Sequence, residues 1–374
     1  MSLLPRLRVA QVAPLFESVP PAAYGGTELM VHLLTEELVR RGHQVTLFAS
    51  GDSRTSAELR AGSPFALWSK DGRQLPGHRV LELTRAHHQR PYVDPGAFDI
   101  VHDHSGGPGI AAAVAAGSGR TLVTHHLKFQ PELGALLRQF PGRHHAVSRF
   151  AAETFPADGQ LEPVLHGVEV ETFPFREDPD GYLLFLGRFA PEKGAGTAVQ
   201  VARRSGRRLL LAGRINPSDR ESFERDVEPY LDGTLVDYLG EADATQKRAL
   251  LAGADLLIFP IAWDEPFGLV MIEALSCGTP VLATARASTP EVVDHGVTGM
   301  LAGPGDGSEA DIEAMLGALP ACAAISRQRC RQEALRRFTV ARMVDDYERR
   351  YATLLGVAHG EVISGNLVGE SGPS

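Results

Sequence analysis

Lysine is scarce in this chain. Only four occur, Lys70, Lys128, Lys193 and Lys247, among 37 Lys plus Arg. Where one stands, a compact ammonium is used in a protein whose cations are otherwise guanidinium. Cysteine is scarcer: Cys277, Cys322 and Cys330 are odd in number and lack CxxC spacing. That excludes a disulfide framework and a zinc site of that type, and it fits a reducing cytoplasm. Long apolar runs are missing too, since none approaches the ~20 residues of a bilayer span. The opening MSLLPRLRVAQVAPLF is broken by Arg6 and Arg8 and reads as the approach to a strand, not a secretory signal. A cytoplasmic location is therefore expected. Aromatic residues make up 7% of the chain, which gives no special support to a long polysaccharide partner. A net charge of −9 argues against nucleic acid, whose binders concentrate positive charge. The local basic runs RHHAVSR and QRCRQEALRRF read as solvated helix faces.

The chain has 374 residues, 43% of them hydrophobic. That is too long for one core, because single cores stop growing beyond ~250–300 residues, so two domains are expected. Short apolar runs alternate with segments of helical spacing. RVAQVAP, QVTLFAS, FDIVHDH, TLVTHH and HHAVS read as strands in the first half; YLLFLG, RLLLAG, LVDYLG, DLLIFP and PVLAT do so in the second. Strand–helix alternation implies right-handed crossovers and a parallel sheet covered on both faces. The prediction is α/β, with two doubly wound Rossmann-like domains over residues 1–172 and 173–339. The polar stretch EVETFPFREDPDGY, Glu169 to Tyr182, forms the junction. Beyond about Glu309 the pattern is helical, and residues 357–374 read as a flexible polar tail.

In such sheets ligands gather at the carboxyl ends of strands, so the post-strand loops are where chemistry is expected. GRFAPEKG carries Arg188 and Lys193 beside a helix start, a pairing suited to a diphosphate. AYGGTE places Gly25 and Gly26 at another helix start, where backbone can approach a ligand closely; a plain tight turn explains the pair as well. VHDHSGG sets His102 and His104 on one strand face and Asp103 on the other, which argues against one metal bound by all three. No metal site is expected. His125 and His126 end a strand, so one faces the cleft and the other packs inward, and alternation alone does not say which. In EPFGLVMIE, Glu265 and Glu273 lie on the order of 10–12 Å apart if Pro266-Phe267-Gly268 starts a helix. That spacing suits a ligand with hydroxyls at both ends. The free amides of Phe267, Gly268 and Leu269 can hold phosphate or sugar oxygens. Helix capping is the plainer explanation of the two acids.

Taken in order, AYGGTE, GRFAPEKG, GADLLIFP, EPFGLVMIE, ALSCGTPV and PEVVDHGVTG resemble the retaining glycosyltransferases of family 4, over most of the chain. The resemblance implies the two-domain GT-B fold, with a last helix, about 340–356, packing back on the first domain. It implies transfer of a hexosyl group from a nucleoside diphosphate sugar, UDP-sugar favoured over GDP- or ADP-sugar, to an acceptor hydroxyl. The anomeric configuration is kept, by a metal-independent front-face route and with no cofactor. Glu265 then holds the transferred sugar, Glu273 the ribose, Arg188 and Lys193 the diphosphate, and Gly26 the phosphates from the other domain. His126 corresponds to the family's cleft histidine, and Tyr24, His104 and His125 are acceptor or cleft candidates. Peripheral membrane association is expected only for a lipid acceptor. Two departures stand out. The linker reads His166-Gly167-Val168-Glu169 where Asn-Gly-Val-Asp is frequent, and Arg214 replaces a small residue. A sugar-nucleotide epimerase and a non-catalytic nucleotide-sugar binder are the alternatives.

Overall fold

The computed structural model describes residues 4–22, 25–68, 75–156 and 159–357. Two six-stranded parallel sheets organise the chain. The first contains β1 (Arg8–Val12), β2 (Gln44–Ser50), β3 (Glu58–Ser63), β4 (Ile100–Asp103), β5 (Thr121–His125) and β6 (His144–Ala146). The second contains β7 (Tyr182–Leu186), β8 (Leu209–Ala212), β9 (Val236–Tyr238), β10 (Ala254–Phe259), β11 (Val281–Ala283) and β12 (Gly299–Leu301). Their orders are β3-β2-β1-β4-β5-β6 and β12-β11-β10-β7-β8-β9. Each sheet winds outward in both directions from its first strand. The strand order therefore reverses between β1 and β4 and between β7 and β10, where a doubly wound sheet opens a crevice.

The central strands are buried along almost their whole length: β7 is YLLFL and β10 is ADLLIF. Such continuous apolar runs belong to parallel strands with helices on both faces. Strands β3 and β12, each at one edge of its sheet, are additional to the five strands per domain read from the sequence. In ELRAGS of β3 only Ser63 is buried, and β12 has three residues. Neither carries the long buried apolar run of the central strands.

The last helix, Val340–Leu355, lies on the first domain. Its Asp345 and Glu348 receive the buried guanidinium of Arg41 at 2.6 and 2.9 Å, and the Tyr351 hydroxyl accepts from Gln11 Nε2 at 3.0 Å. The chain thus crosses between domains twice, and the two crossings touch. Val168 N–H donates to Phe338 O at 2.8 Å and Val340 N–H to Val168 O at 3.2 Å. At Gly167 a Cβ would lie 2.3 Å from Thr339 O, so only glycine fits between the crossings. Gly356 ends the last helix in a left-handed conformation, and the polar tail from residue 358 lies outside the described residues.

Candidate active site

The loops leaving β7 and β10 flank the switch point of the second sheet and are tied together. Ala262 N–H donates to Glu192 O at 2.8 Å. Gly194, at φ 79°, presses so close to Pro260 that a Cβ would sit 2.0 Å from its carbonyl oxygen. This close approach delivers Lys193 to the segment after β10. Its Nζ lies 2.5 Å from Glu265 Oε2, and the Trp263 indole N–H donates to the same oxygen at 3.1 Å. The ammonium also stands 4.4 Å from the Trp263 ring centroid. Lys193 and Glu265 have side chains only 17% and 12% exposed, so the pair is sheltered but reachable.

Arg188, from the same post-β7 loop, donates to Glu192 Oε1 at 2.9 Å and faces Asp219 Oδ2 at 3.6 Å. Its Nε is buried without a hydrogen-bond partner among the described residues. Glu273 lies in the helix Leu269–Ser276 and is buried; its partner is Lys247, 2.5 Å from Oε1. That helix begins at Gly268, which is left-handed, and no side chain caps it. The amides at Phe267, Gly268 and Leu269 therefore belong to an uncapped helix start, with its partial positive charge. The Phe267 ring itself is buried against His166 and Phe338.

Across the gap, Gly25 precedes the helix Gly26–Arg40 after β1. A Cβ on Gly26 would lie 3.3 Å from Leu269 Cδ1. The two helix starts, one per domain, thus face each other at close range. Tyr24, a further cleft candidate, lies outside the described residues.

The histidines divide as the strand pleat dictates. His102 and His104 share a face, with ring centroids 4.1 Å apart, while Asp103 on the opposite face accepts from His88 Nδ1 at 2.7 Å. His126 is the member of its pair that reaches this cluster, with Nε2 3.1 Å from His104 Nδ1. His125 is a correction: as the last residue of β5 it points inward, packed on Phe155 and His144, and does not face the cleft. His166, the linker departure, stacks on His126 at 5.4 Å and 18° and meets the Phe267 ring edge-on at 4.9 Å. It therefore joins the histidine cluster to the helix start of the second domain.

Burial pushes the His126 imidazole down to about 4 and holds His104 and His166 well below the usual histidine value. All three are neutral near pH 7. Gln11 Nε2 donates to Tyr351, so its Oε1 accepts from His104 Nε2 at 2.9 Å. His104 Nδ1 then accepts from His126 Nε2–H. This order leaves His126 Nδ1 with its lone pair, able to receive a hydroxyl.

Several contacts escaped the sequence reading. Trp263 holds Glu265, Lys247 holds Glu273, and Lys128 reaches across from the first domain to Asp264 at 2.8 Å, an acid also bound by Arg286 at 2.9 Å. Glu291 of the second domain accepts from the backbone N–H groups of Arg149 and Phe150 in the first, at 2.8 and 2.7 Å. Lysine rarity is the signal that would have found two of these, Lys128 and Lys247. Three of the four lysines each hold a carboxylate of the segment 264–273, and the fourth, Lys70, lies outside the described residues. Among the described residues no group of three or more His, Cys, Asp and Glu is placed to hold a metal ion, and no helix is long and apolar enough to cross a membrane.

Comparison with known proteins agrees with this architecture. The family described as Glycosyltransferase Family 4 matches residues 24–155, and Glycosyl transferases group 1 matches residues 171–336. Phosphatidyl-myo-inositol mannosyltransferase of Mycolicibacterium smegmatis is 26% identical over 344 residues, covering 84% of this chain and 85% of that protein. D-inositol 3-phosphate glycosyltransferase of Pseudarthrobacter chlorophenolicus is 25% identical over 331 residues, covering 74% and 78%. Among solved structures, AviGT4, a glycosyltransferase involved in avilamycin A biosynthesis, superimposes with a TM-score of 0.72 at 25% identity, covering 94% of this chain and 99% of that one. Both halves match in order, and the paired sheets open at facing switch points. The chain belongs to the family 4 glycosyltransferases and has the GT-B fold.

Proposed function

We propose that the protein transfers a hexosyl group, with retention at the anomeric carbon, from a nucleoside diphosphate sugar to an acceptor hydroxyl. The observation that carries this reading is the contact between Lys193 and Glu265. In a sugar nucleotide the bond to be broken joins the terminal phosphate to the anomeric carbon. A cation for the phosphate and an acid for the sugar must then be neighbours, and these two are. Glu273 receives the ribose at the other end, and Arg188 shares the diphosphate with Lys193.

The uncapped helix start at Phe267, Gly268 and Leu269 lies beside Gly26 of the other domain, and both helix starts favour negative charge on the ligand. As the bond breaks, charge collects on the departing phosphate. Two cations and fixed amide dipoles stabilise it without reorganising. The phosphate oxygen on the same face takes the acceptor's proton, which accounts for retention without a covalent nucleophile. His126 Nδ1 accepts a hydroxyl of the bound sugar and orients it. Closing the domains over the donor excludes water and limits hydrolysis.

UDP-sugars are tested first, then GDP- and ADP-sugars. The named acceptors of the relatives put inositol phosphates and phosphatidylinositol first in an acceptor panel; with a lipid acceptor the protein works at a membrane surface. The nucleotide site is checked by titration calorimetry. Arg188→Ala and Lys193→Ala are each expected to weaken nucleoside diphosphate binding by about 1.5–3 kcal/mol, the worth of a charge-assisted hydrogen bond. Unchanged affinity in both variants would remove the diphosphate from this loop. With Arg188 and Lys193 meeting the phosphate charge, turnover is expected to be the same with and without EDTA. A loss that Mg²⁺ restores would assign that charge to a metal instead.

A further inference from the structure

Glu273 is a carboxylate almost closed off from water, 4% exposed in the second turn of its helix. Lys247 Nζ meets Oε1 at 2.5 Å, while Oε2 makes no hydrogen bond among the described residues. Lys247 comes from the neighbouring helix Ala244–Gly253, whose start is fixed by a capping box. Asp243 accepts from the N–H groups of Thr245 and Gln246, and Gln246 Oε1 accepts from Asp243 N–H. The lysine comes directly after that box, in a part of the helix where the macrodipole disfavours a cation. Helix stability does not explain its presence there. The buried carboxylate does, because a charge out of water needs a partner.

The pairing is also lopsided. A carboxylate has two oxygens and about four acceptor positions, and the ammonium occupies only one side.

We propose that Lys247 is a positioning residue for the nucleotide: it neutralises and fixes Glu273 through Oε1 so that Oε2 is presented to a ribose hydroxyl. This rests on the proposed role of Glu273 as the ribose acceptor. A point-charge ammonium suits the task, since a guanidinium fork tends to engage both oxygens of a carboxylate. That need accounts for a lysine at 247 in an arginine-rich chain.

The test compares UDP, GDP and ADP with their 2′-deoxy forms by titration calorimetry on the wild-type protein, Glu273→Gln, Lys247→Met and Lys247→Gln. Lys247→Gln is included because it keeps a hydrogen-bond donor should Lys247→Met fail to fold. The wild type is expected to prefer the ribose form of its nucleotide by about tenfold or more, the size of one charge-assisted hydrogen bond. Glu273→Gln abolishes the preference, and each folded Lys247 variant lowers it to about threefold or less. A merely structural lysine would change thermal stability and leave this ratio alone. If Glu273→Gln loses the preference while the Lys247 variants keep it, the positioning role is overturned and the ribose reading stands. If Glu273→Gln keeps it, or no diphosphate binds, the ribose reading fails and takes the proposal with it.

Discussion

Glu265→Gln is expected to lower turnover by on the order of 10²–10³-fold, the usual cost of removing one preorganised electrostatic group from a transition state, while nucleoside diphosphate affinity holds or rises. The two directions share a cause. In the free protein the Glu265 carboxylate occupies Lys193 at 2.5 Å, with the Trp263 indole on the same oxygen. An incoming diphosphate must draw the ammonium away from that acid. Gln keeps the shape but drops the charge, so Lys193 is freed for the phosphate even as the sugar loses its acceptor. Steady-state kinetics and nucleotide titration on one preparation decide the matter. Turnover near the wild-type value, or nucleotide affinity falling in step with kcat, would strip Glu265 of its place beside the sugar.

Acid is expected to unfold the first domain between about pH 6.5 and 5. Burial pushes His87, His126 and His144 down to about 4 and His145 to about 3, and holds His102, His104, His125 and His166 well below the usual value. In the unfolded chain each titrates near ~6.5. The folded values are depressed, so between them and ~6.5 the unfolded state binds protons that the folded state refuses. Stability is full above ~6.5 and drains away as the pH falls. Each such proton is worth about 1.4 kcal/mol per pH unit. Eight sites acting together can therefore match the ~5–15 kcal/mol that holds a typical domain. All eight lie between residues 87 and 166, whereas the second domain has only His295. Calorimetry from pH 7.5 to 5 is expected to show one transition dropping by tens of degrees and another moving little. A single transition whose midpoint stays flat to pH 5.5 would mean that the histidines reach water.

Much of the architecture is legible in the sequence because parallel central strands are nearly continuous apolar runs. Leu183 to Leu186 and Leu256 to Phe259 cannot be mistaken for amphipathic surface. Two of the four edge strands, β3 and β12, have no such mark: in Glu58 to Ser63 only Ser63 is buried, and β12 is three residues long. In the cleft, residues borne directly on post-strand loops, such as Lys193, Glu265 and Gly26, were reachable by inspecting the loop at the carboxyl end of each strand. A single sequence conceals which distant side chain completes a group. Trp263 stands two residues from Glu265 yet gave no sign, because an indole is as often core as donor. Lys247 is 26 residues from its acid, and only folding brings the two helices together. The choice between His125 and His126 needed coordinates because strand alternation fixes that the pair divides, not which member turns inward. His166, flagged only as an unusual linker residue, is a ring joining the two halves.

The paired crossings at Val168 and Thr339 have a mechanical consequence. Two backbone segments bonded side by side resist sliding and twisting more than bending, so a movement between the lobes would be guided along the line where they cross. His166 lies beside that line, with its ring between His126 of one lobe and Phe267 of the other. A swing of one lobe against the other would therefore change the His166 contacts, stacked on the His126 side and edge-on on the Phe267 side, and with them the surroundings of His126.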